Sequence, residues 1–160
     1  MHWRGLGDSR FLLLLHLQTP SYDVNCADCL RWTFKADLKK CYKFYGAHKS
    51  WPDARRHCVD VTPGGQLVSI PDVDTQDFLK NQMGDGKFWA GGNIDDKGSW
   101  YWLDGTPWSE LSQGWREDHP QDGSDQRLYF KKGGYAKWES RPLTEKHGCV
   151  CQYDYEDYPN

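Results

Sequence analysis

Ser50-Trp-Pro-Asp-Ala-Arg-Arg-His-Cys58 is the stretch from which the fold of this 160-residue chain is read. Ser50 is a helix N-cap. Pro52 falls in the first turn, where its missing N–H costs nothing, and Asp53 takes the capping-box position, although Glu is the better residue there. Trp51, Ala54 and Cys58 then share one face at helical spacing, which places a cysteine at the buried end of the helix. Thr62-Pro-Gly-Gly65 ends it.

Around this helix the chain alternates short elements. Upstream, Cys29 to Tyr45 reads as two short strands around a charged turn at Lys35–Lys40. Downstream, Gln66–Ile70 is a short strand stopped by Pro71-Asp72. Asp74-Thr-Gln-Asp77 opens a second helix that carries Phe78, Leu79 and Met83 inward until Gly84-Asp-Gly86 breaks it. Phe88–Ile94 and Ser99–Leu103 are aromatic strands joined by Asp95-Asp-Lys-Gly98; Trp100 and Trp102 face one way and Tyr101 the other. From Arg127 two strands meet at Gly133-Gly134, and Gly148–Tyr153 is a last strand with Cys149 and Cys151 on one face. The polar, Gly- and Pro-punctuated stretch from Trp115 to Ser140 is where such a scaffold meets a ligand. There are no internal repeats.

The composition narrows the class. One domain with a short leader or tail fits the length. Nine Trp, nine Tyr and six Phe supply a core of aromatic bulk, each ring burying about 150–250 Å². A net charge of −3 gives no electrostatic case for nucleic acid, and the adjacent basic pairs are separated by acids. Residues 1–21 have a basic start, a short apolar run at Phe11–Leu15 and small residues near Ser21, the order of a signal peptide, and the run is too short to span a bilayer. All six cysteines (26, 29, 41, 58, 149, 151) follow that leader, which favours disulfides, an oxidising compartment and secretion. A zinc site at Cys26-Ala-Asp-Cys29 would need Cys149-Val-Cys151 as its second pair, whose spacing suits a strand better. The six histidines are scattered and no Ser, Cys or carboxylate has a nucleophile's setting, so an enzyme is not expected. Residues 154–160 form an acidic, tyrosine-rich tail, read as a frayed end or a sulfation segment.

In this order the residues resemble a C-type lectin-like domain, the long form with an extra N-terminal hairpin, over residues 26–153. Cys29…Trp32…Cys41-Tyr-Lys-Phe is similar to that hairpin, Ser50–Cys58 to the first helix, and Phe88-Trp-Ala-Gly-Gly to the Trp-Ile-Gly core strand. Trp102-Leu-Asp-Gly-Thr-Pro-Trp108, Trp115 and Val150-Cys151-Gln-Tyr complete the frame. The resemblance implies an α+β fold with two helices, small antiparallel sheets and a long ligand loop, stapled by disulfides Cys58–Cys151 and Cys29–Cys41. Cys26 and Cys149 remain, and since the family brings both chain ends together, they are expected to pair; the alternative is a link from Cys26 to another chain. The family's usual second bridge is missing, because Gln126 and Leu143 stand at its positions. The loop must then be ordered by packing of Trp115, Tyr129 and Trp138.

Sugar-binding members hold calcium through Glu-Pro-Asn or Gln-Pro-Asp, a further Glu, and the Asn and Asp of Trp-Asn-Asp, because calcium takes 6–8 hard oxygen ligands. A cis proline turns both neighbours toward the ion. Here Pro120 is kept as the structural turn, but His119 and Gln121 flank it, Ser124 stands near the Glu position, and Trp138-Glu139-Ser140 replaces Trp-Asn-Asp. No metal is therefore expected; calcium would have to rely on Gln121, Asp125 and Glu139, with Asp118 or Asp122 added, and imidazole is a poor ligand for it. The candidate ligand contacts are His119, Gln121, Asp122, Glu139 and Trp115. The expectation is a secreted binding protein for an extracellular glycan or protein, without the usual calcium site and without a cofactor. The alternatives are a calcium-dependent lectin, or a matrix, toxin-like or antifreeze-like member of the fold.

Overall fold

The computed structural model describes residues 31–109, 114–132 and 137–155. The expected leader, Cys26, Cys29, the Gly133-Gly134 turn and most of the acidic tail lie outside them. Eleven elements follow one another among the described residues: β1 (Thr33–Lys35), β2 (Lys40–Lys49), α1 (Trp51–Val61), β3 (Gln66–Leu67), α2 (Val73–Gln82), β4 (Lys87–Trp89), β5 (Gly92–Ile94), β6 (Trp100–Trp102), β7 (Gln126–Lys131), β8 (Lys137–Pro142) and β9 (His147–Asp154). No helix among these residues is long and apolar enough to cross a membrane.

Helix α1 starts as its sequence dictates. Ser50 Oγ accepts from Asp53 N at 3.4 Å and donates to the Asp53 carboxylate at 2.7 Å, and Trp51, Ala54 and Cys58 are buried. Helix α2 begins at Val73, one residue before Asp74, because Asp72 is the cap and accepts from Thr75 N at 2.7 Å. Leu79 and Met83 enter the core as expected, while Phe78 is half-buried.

The main sheet runs β1-β2-β9-β4-β7-β8, with β3 also on β9, and β5-β6 form a separate two-stranded sheet. Strand β9 is the spine. It pairs antiparallel with β2 from Cys41↔Tyr153 to Lys49↔His147, parallel with β4 at Trp89↔Cys149, and antiparallel with β3 at Leu67↔Cys151. Of the expected strand to Ile70, β3 takes only Gln66 and Leu67, and Val68 N adds one bond to Val150 O at 2.9 Å. Ser69 N instead donates to the side chain of Gln152 at 2.9 Å, so an amide takes the place of a backbone partner. The expected strand Phe88–Ile94 is likewise two strands. The chain leaves one sheet for the other at Ala90-Gly91, where a Cβ on Gly91 would lie 2.7 Å from Leu67 O. Glycine is required by that close approach.

One core cluster lies between α2, β4, β7 and the loop tryptophans, and a second, with Trp51, Ala54, Cys58, Leu67, Trp89 and Tyr129, lies under α1. Cys58–Cys151 forms as the resemblance implies, with Cα atoms 5.3 Å apart across 93 residues of sequence. By chain entropy a loop of that length contributes about 4–5 kcal/mol. Cys41 is also disulfide-bonded, and Cys29, its implied partner, lies outside the described residues. The Cys26–Cys149 pairing is a correction: Cys149 is a free thiol with no exposed surface. Its side chain points the same way as Cys151, from an interior strand into the core under α1, which encloses it away from the surface.

Candidate functional site

The loop between β6 and β7 is held to β8 at several levels. Trp115 forms a parallel bridge with Trp138: Trp138 N donates to Gly114 O at 2.6 Å and Arg116 N to Trp138 O at 2.9 Å. At the positions of the missing family bridge, Leu143 N donates to Asp125 O at 2.9 Å and Gln126 pairs with Pro142. Packing supplies the rest. The Trp115 ring sits 5.0 Å from Trp100 and 5.7 Å from Trp138, and Trp108 stacks on Trp100 at 5.9 Å. The Trp115 ring is thus engaged in the packing of the loop.

The His119–Pro120 peptide is cis, and Asp118 before it takes a left-handed φ of 65°, a conformation Asp tolerates. The turn is tied to β8 by Ser140. Gln121 N donates to Ser140 Oγ at 2.6 Å, and Ser140 N donates to His119 Nδ1 at 3.2 Å, with Ser140 Oγ at the same distance from that nitrogen. Accepting in this way, Nδ1 is the unprotonated ring nitrogen. Burial pushes the His119 imidazole below its ordinary pKa; Arg141 and Arg116 add to that, against Glu139 and Asp118.

Glu139 lies beneath this turn and is 0% exposed. The β7–β8 register sets it opposite Tyr129, with Lys131 and Arg141 two residues along on the same face. Its Oε1 is 2.9 Å from Arg116 Nη1 and 3.0 Å from Lys131 Nζ. Its Oε2 receives Arg141 Nη2 at 2.6 Å and the Tyr129 hydroxyl at 3.0 Å. Burial alone would raise the Glu139 carboxyl, but the hydrogen bonds from Arg116, Lys131, Arg141 and Tyr129 outweigh it and hold the group well below the usual carboxylate range. The Tyr129 phenol is pushed up to about 12, by burial first and then by its bond to Glu139. Four donors on two oxygens leave this carboxylate little room for another partner.

Two clefts flank the turn. One, of about 370 Å³, is lined by His119, Gln121, Asp122, Gln126, Ser140, Arg141, Pro142 and Glu145. The other, of about 340 Å³, has Ile94, Trp100 and Pro120 as apolar surface and Asp95, Asp96, Asp122 and Ser124 around it. Of the five candidate contacts, His119, Gln121 and Asp122 reach a cleft. Glu139 and Trp115 do not line either one. Asp125 is exposed and accepts from Gln126 Nε2 at 3.2 Å. The residues that sequence reasoning missed are Arg116, Lys131 and Arg141, which enclose Glu139, and Trp100, which reaches the second cleft. The signal for Arg141 was its strand spacing from Glu139, none pointed to Arg116, and Trp100 was read as core.

The match to known proteins is extensive. A family model for the lectin C-type domain covers residues 47–153. A C-type lectin of the snake Bungarus fasciatus, BfL-2, is 31% identical over 157 residues, 90% of this chain and 95% of that protein. Mouse asialoglycoprotein receptor 1 is 25% identical over 93% of this chain and 58% of its own length. Among solved structures, the C-type lectin domain of murine dendritic cell inhibitory receptor 2, in complex with N-glycan, superposes with a TM-score of 0.71 at 22% identity, over 78% of this chain and 97% of that one. A calcium-independent type II antifreeze protein gives 0.68 at 27% identity, over 78% and 92%. With the α1 cap, the Cys58–Cys151 staple and the cis-proline loop all in place, this chain belongs to the C-type lectin domain family.

Proposed function

We propose that the domain is a secreted module that binds an extracellular carbohydrate or protein through the His119–Asp122 turn and its two clefts, without calcium and without catalysis. Glu139 carries this reading. It stands where the resemblance expects a calcium-ligating Asn, yet its oxygens already accept from Arg116, Lys131, Arg141 and Tyr129. A metal ion there would meet three positive charges and no free carboxylate. Ser140, at the expected Asp position, ties the turn down by hydrogen bonds, a role the ion would otherwise fill. At Glu139 and Ser140 the donor set of a Ca²⁺ cage, several well-placed carboxylates, is not met.

The clefts suit a polar ligand with an apolar face. Trp100 and Pro120 offer surface for a sugar ring, and Asp96 and Asp122 accept hydroxyl or amine donors. The glycan complex of the murine receptor domain supports the saccharide class, and the calcium-independent antifreeze relative supports the metal-free reading. The Cys58–Cys151 bridge and the disulfide at Cys41 support an oxidising, extracellular setting. The deciding experiment is a glycan array of the mature protein with calcium and with chelator. Binding unchanged by chelator is the expected result. Chelator-sensitive binding would overturn the proposal in favour of a calcium-dependent lectin, and an array with no binding would point to a protein ligand.

A further inference from the structure

The molecule holds a free, buried thiol that ligand binding does not use. Cys58, Cys149 and Cys151 bring their three sulfurs within 4.8 Å of one another, all fully buried, and two of them already form the bridge from α1 to β9. Cys149 and Cys151 are two apart on β9, so both point to the face that α1 covers. The third sulfur is a free thiol.

We infer that the long bridge is exchangeable between two registers on β9, with Cys149 acting as an internal nucleophile that replaces Cys151 on Cys58. In the step, Cys149 loses its proton to water and its thiolate attacks Cys58 Sγ. The Cys58–Cys151 bond breaks, Cys58–Cys149 forms, and the electron pair leaves on Cys151, which takes up a proton. Nothing is oxidised or reduced in sum. Thiol–disulfide exchange proceeds through such an attack of a thiolate on one sulfur of the bridge. Attack on Cys151 instead would link two residues of one strand, whose Cβ atoms lie farther apart than the ~4 Å a disulfide accepts.

The separation is within side-chain reach, since one staggered step of a cysteine χ1 carries the sulfur roughly 3 Å. Register defines the two states. Cys151 sits at the level of Leu67 in β3, Cys149 at the level of Trp89 in β4, and exchange moves the tie of α1 from one to the other. Burial pushes the Cys149 thiol up to about 11, against the nearby charge of Lys49, and Tyr45 is the neighbouring titratable group across β2. That protonation slows exchange while α1 is closed. Opening of α1 is what exposes and activates the thiol, and the consequence is that α1 stays tethered even when Cys151 is lost.

The test is disulfide mapping of the full chain carrying Cys151→Ser, refolded in a glutathione redox buffer and digested without reduction. A Cys58–Cys149 linked peptide is the expected product. A folded variant in which Cys58 and Cys149 both alkylate as free thiols, or one with a Cys26–Cys149 link, would overturn the inference. Wild-type protein provides the second arm, independent of whether that variant folds. After incubation in mildly alkaline buffer free of added thiol, acid quenching and alkylation, fragment ions should place label on Cys151 in about 1% of molecules or more, the scale of a minor conformer. Label confined to Cys149 would overturn it.

Discussion

Arg141 Nη2 lies 2.6 Å from Glu139 Oε2 on the same strand, and Arg116 and Lys131 close on the other oxygen of that buried carboxylate. The cations keep contact with water, Arg116 being 51% exposed and Arg141 37%. Only the acid is sealed. Glu139→Gln therefore removes the charge that organises three side chains, while those three can rehydrate. We expect a loss of roughly 1–3 kcal/mol, below the 3–5 kcal/mol of a fully sealed pair. Urea titration at neutral pH checks it, and an unchanged midpoint would mean that the cluster contributes nothing net.

The same carboxylate fixes an acid limit. Its folded-state pKa lies below the ordinary value of 4.5, so its contribution is complete above 4.5 and disappears as pH falls through the folded value. The wild-type urea midpoint should decline below about pH 4.5, and Glu139→Gln should flatten that part of the curve. A parallel decline in both proteins would assign the acid sensitivity elsewhere.

The histidines add an earlier step. Burial lowers His57, His119 and His147 from 6.5, so each favours the folded state above that value and opposes it as pH drops toward the folded pKa. His119 should titrate below 6.5 when followed by NMR of its ring protons. A midpoint at or above 6.5 would contradict the acceptor role of Nδ1 toward Ser140.

The scaffold was legible because local signals agreed with packing at α1: the Ser50 cap, the Trp51/Ala54/Cys58 face and a cysteine in reach of β9 all favour one structure. Pro120 was legible for the same reason, as a residue with few alternatives. The environment of Glu139 was not, since Arg116 meets it only through the loop bridge from Trp115 to Trp138, and no spacing in the sequence encodes that contact. The free state of Cys149 escaped in a similar way. Six cysteines invite three bridges, and only the placement of Cys149 under α1 reveals why one of them is left out.

Restoring one family residue should not restore a metal site. In His119→Glu the new carboxylate would face Ser140, which offers a hydroxyl, and Glu139, whose lone pairs stay with Arg116, Lys131, Arg141 and Tyr129. Calorimetric titration of this variant with calcium is expected to give no affinity in the micromolar range. Micromolar binding after the single change would show that the cations around Glu139 release it readily, and would remove the main support for calcium-free recognition.

Gln152 ties β9 through its side chain to two segments beyond the end of the β3–β9 ladder. Its Oε1 accepts from Ser69 N at 2.9 Å beyond the end of β3, and its Nε2 donates to Asp104 Oδ2 at 2.9 Å in the turn after β6. The residue is 1% exposed, so water cannot readily replace either bond. Gln152→Leu keeps most of the volume but strands a backbone N–H and deprives a carboxylate of one donor, while Asp104 Oδ1 retains Thr106 N at 3.0 Å. With about 1–3 kcal/mol for each buried group left unsatisfied, the expected loss is roughly 2–4 kcal/mol. The measurement is the urea midpoint together with hydrogen exchange at Ser69. Faster exchange at that amide with a reduced midpoint would confirm the role of the side chain; an amide as protected as in the wild type would show that Ser69 has another acceptor within reach.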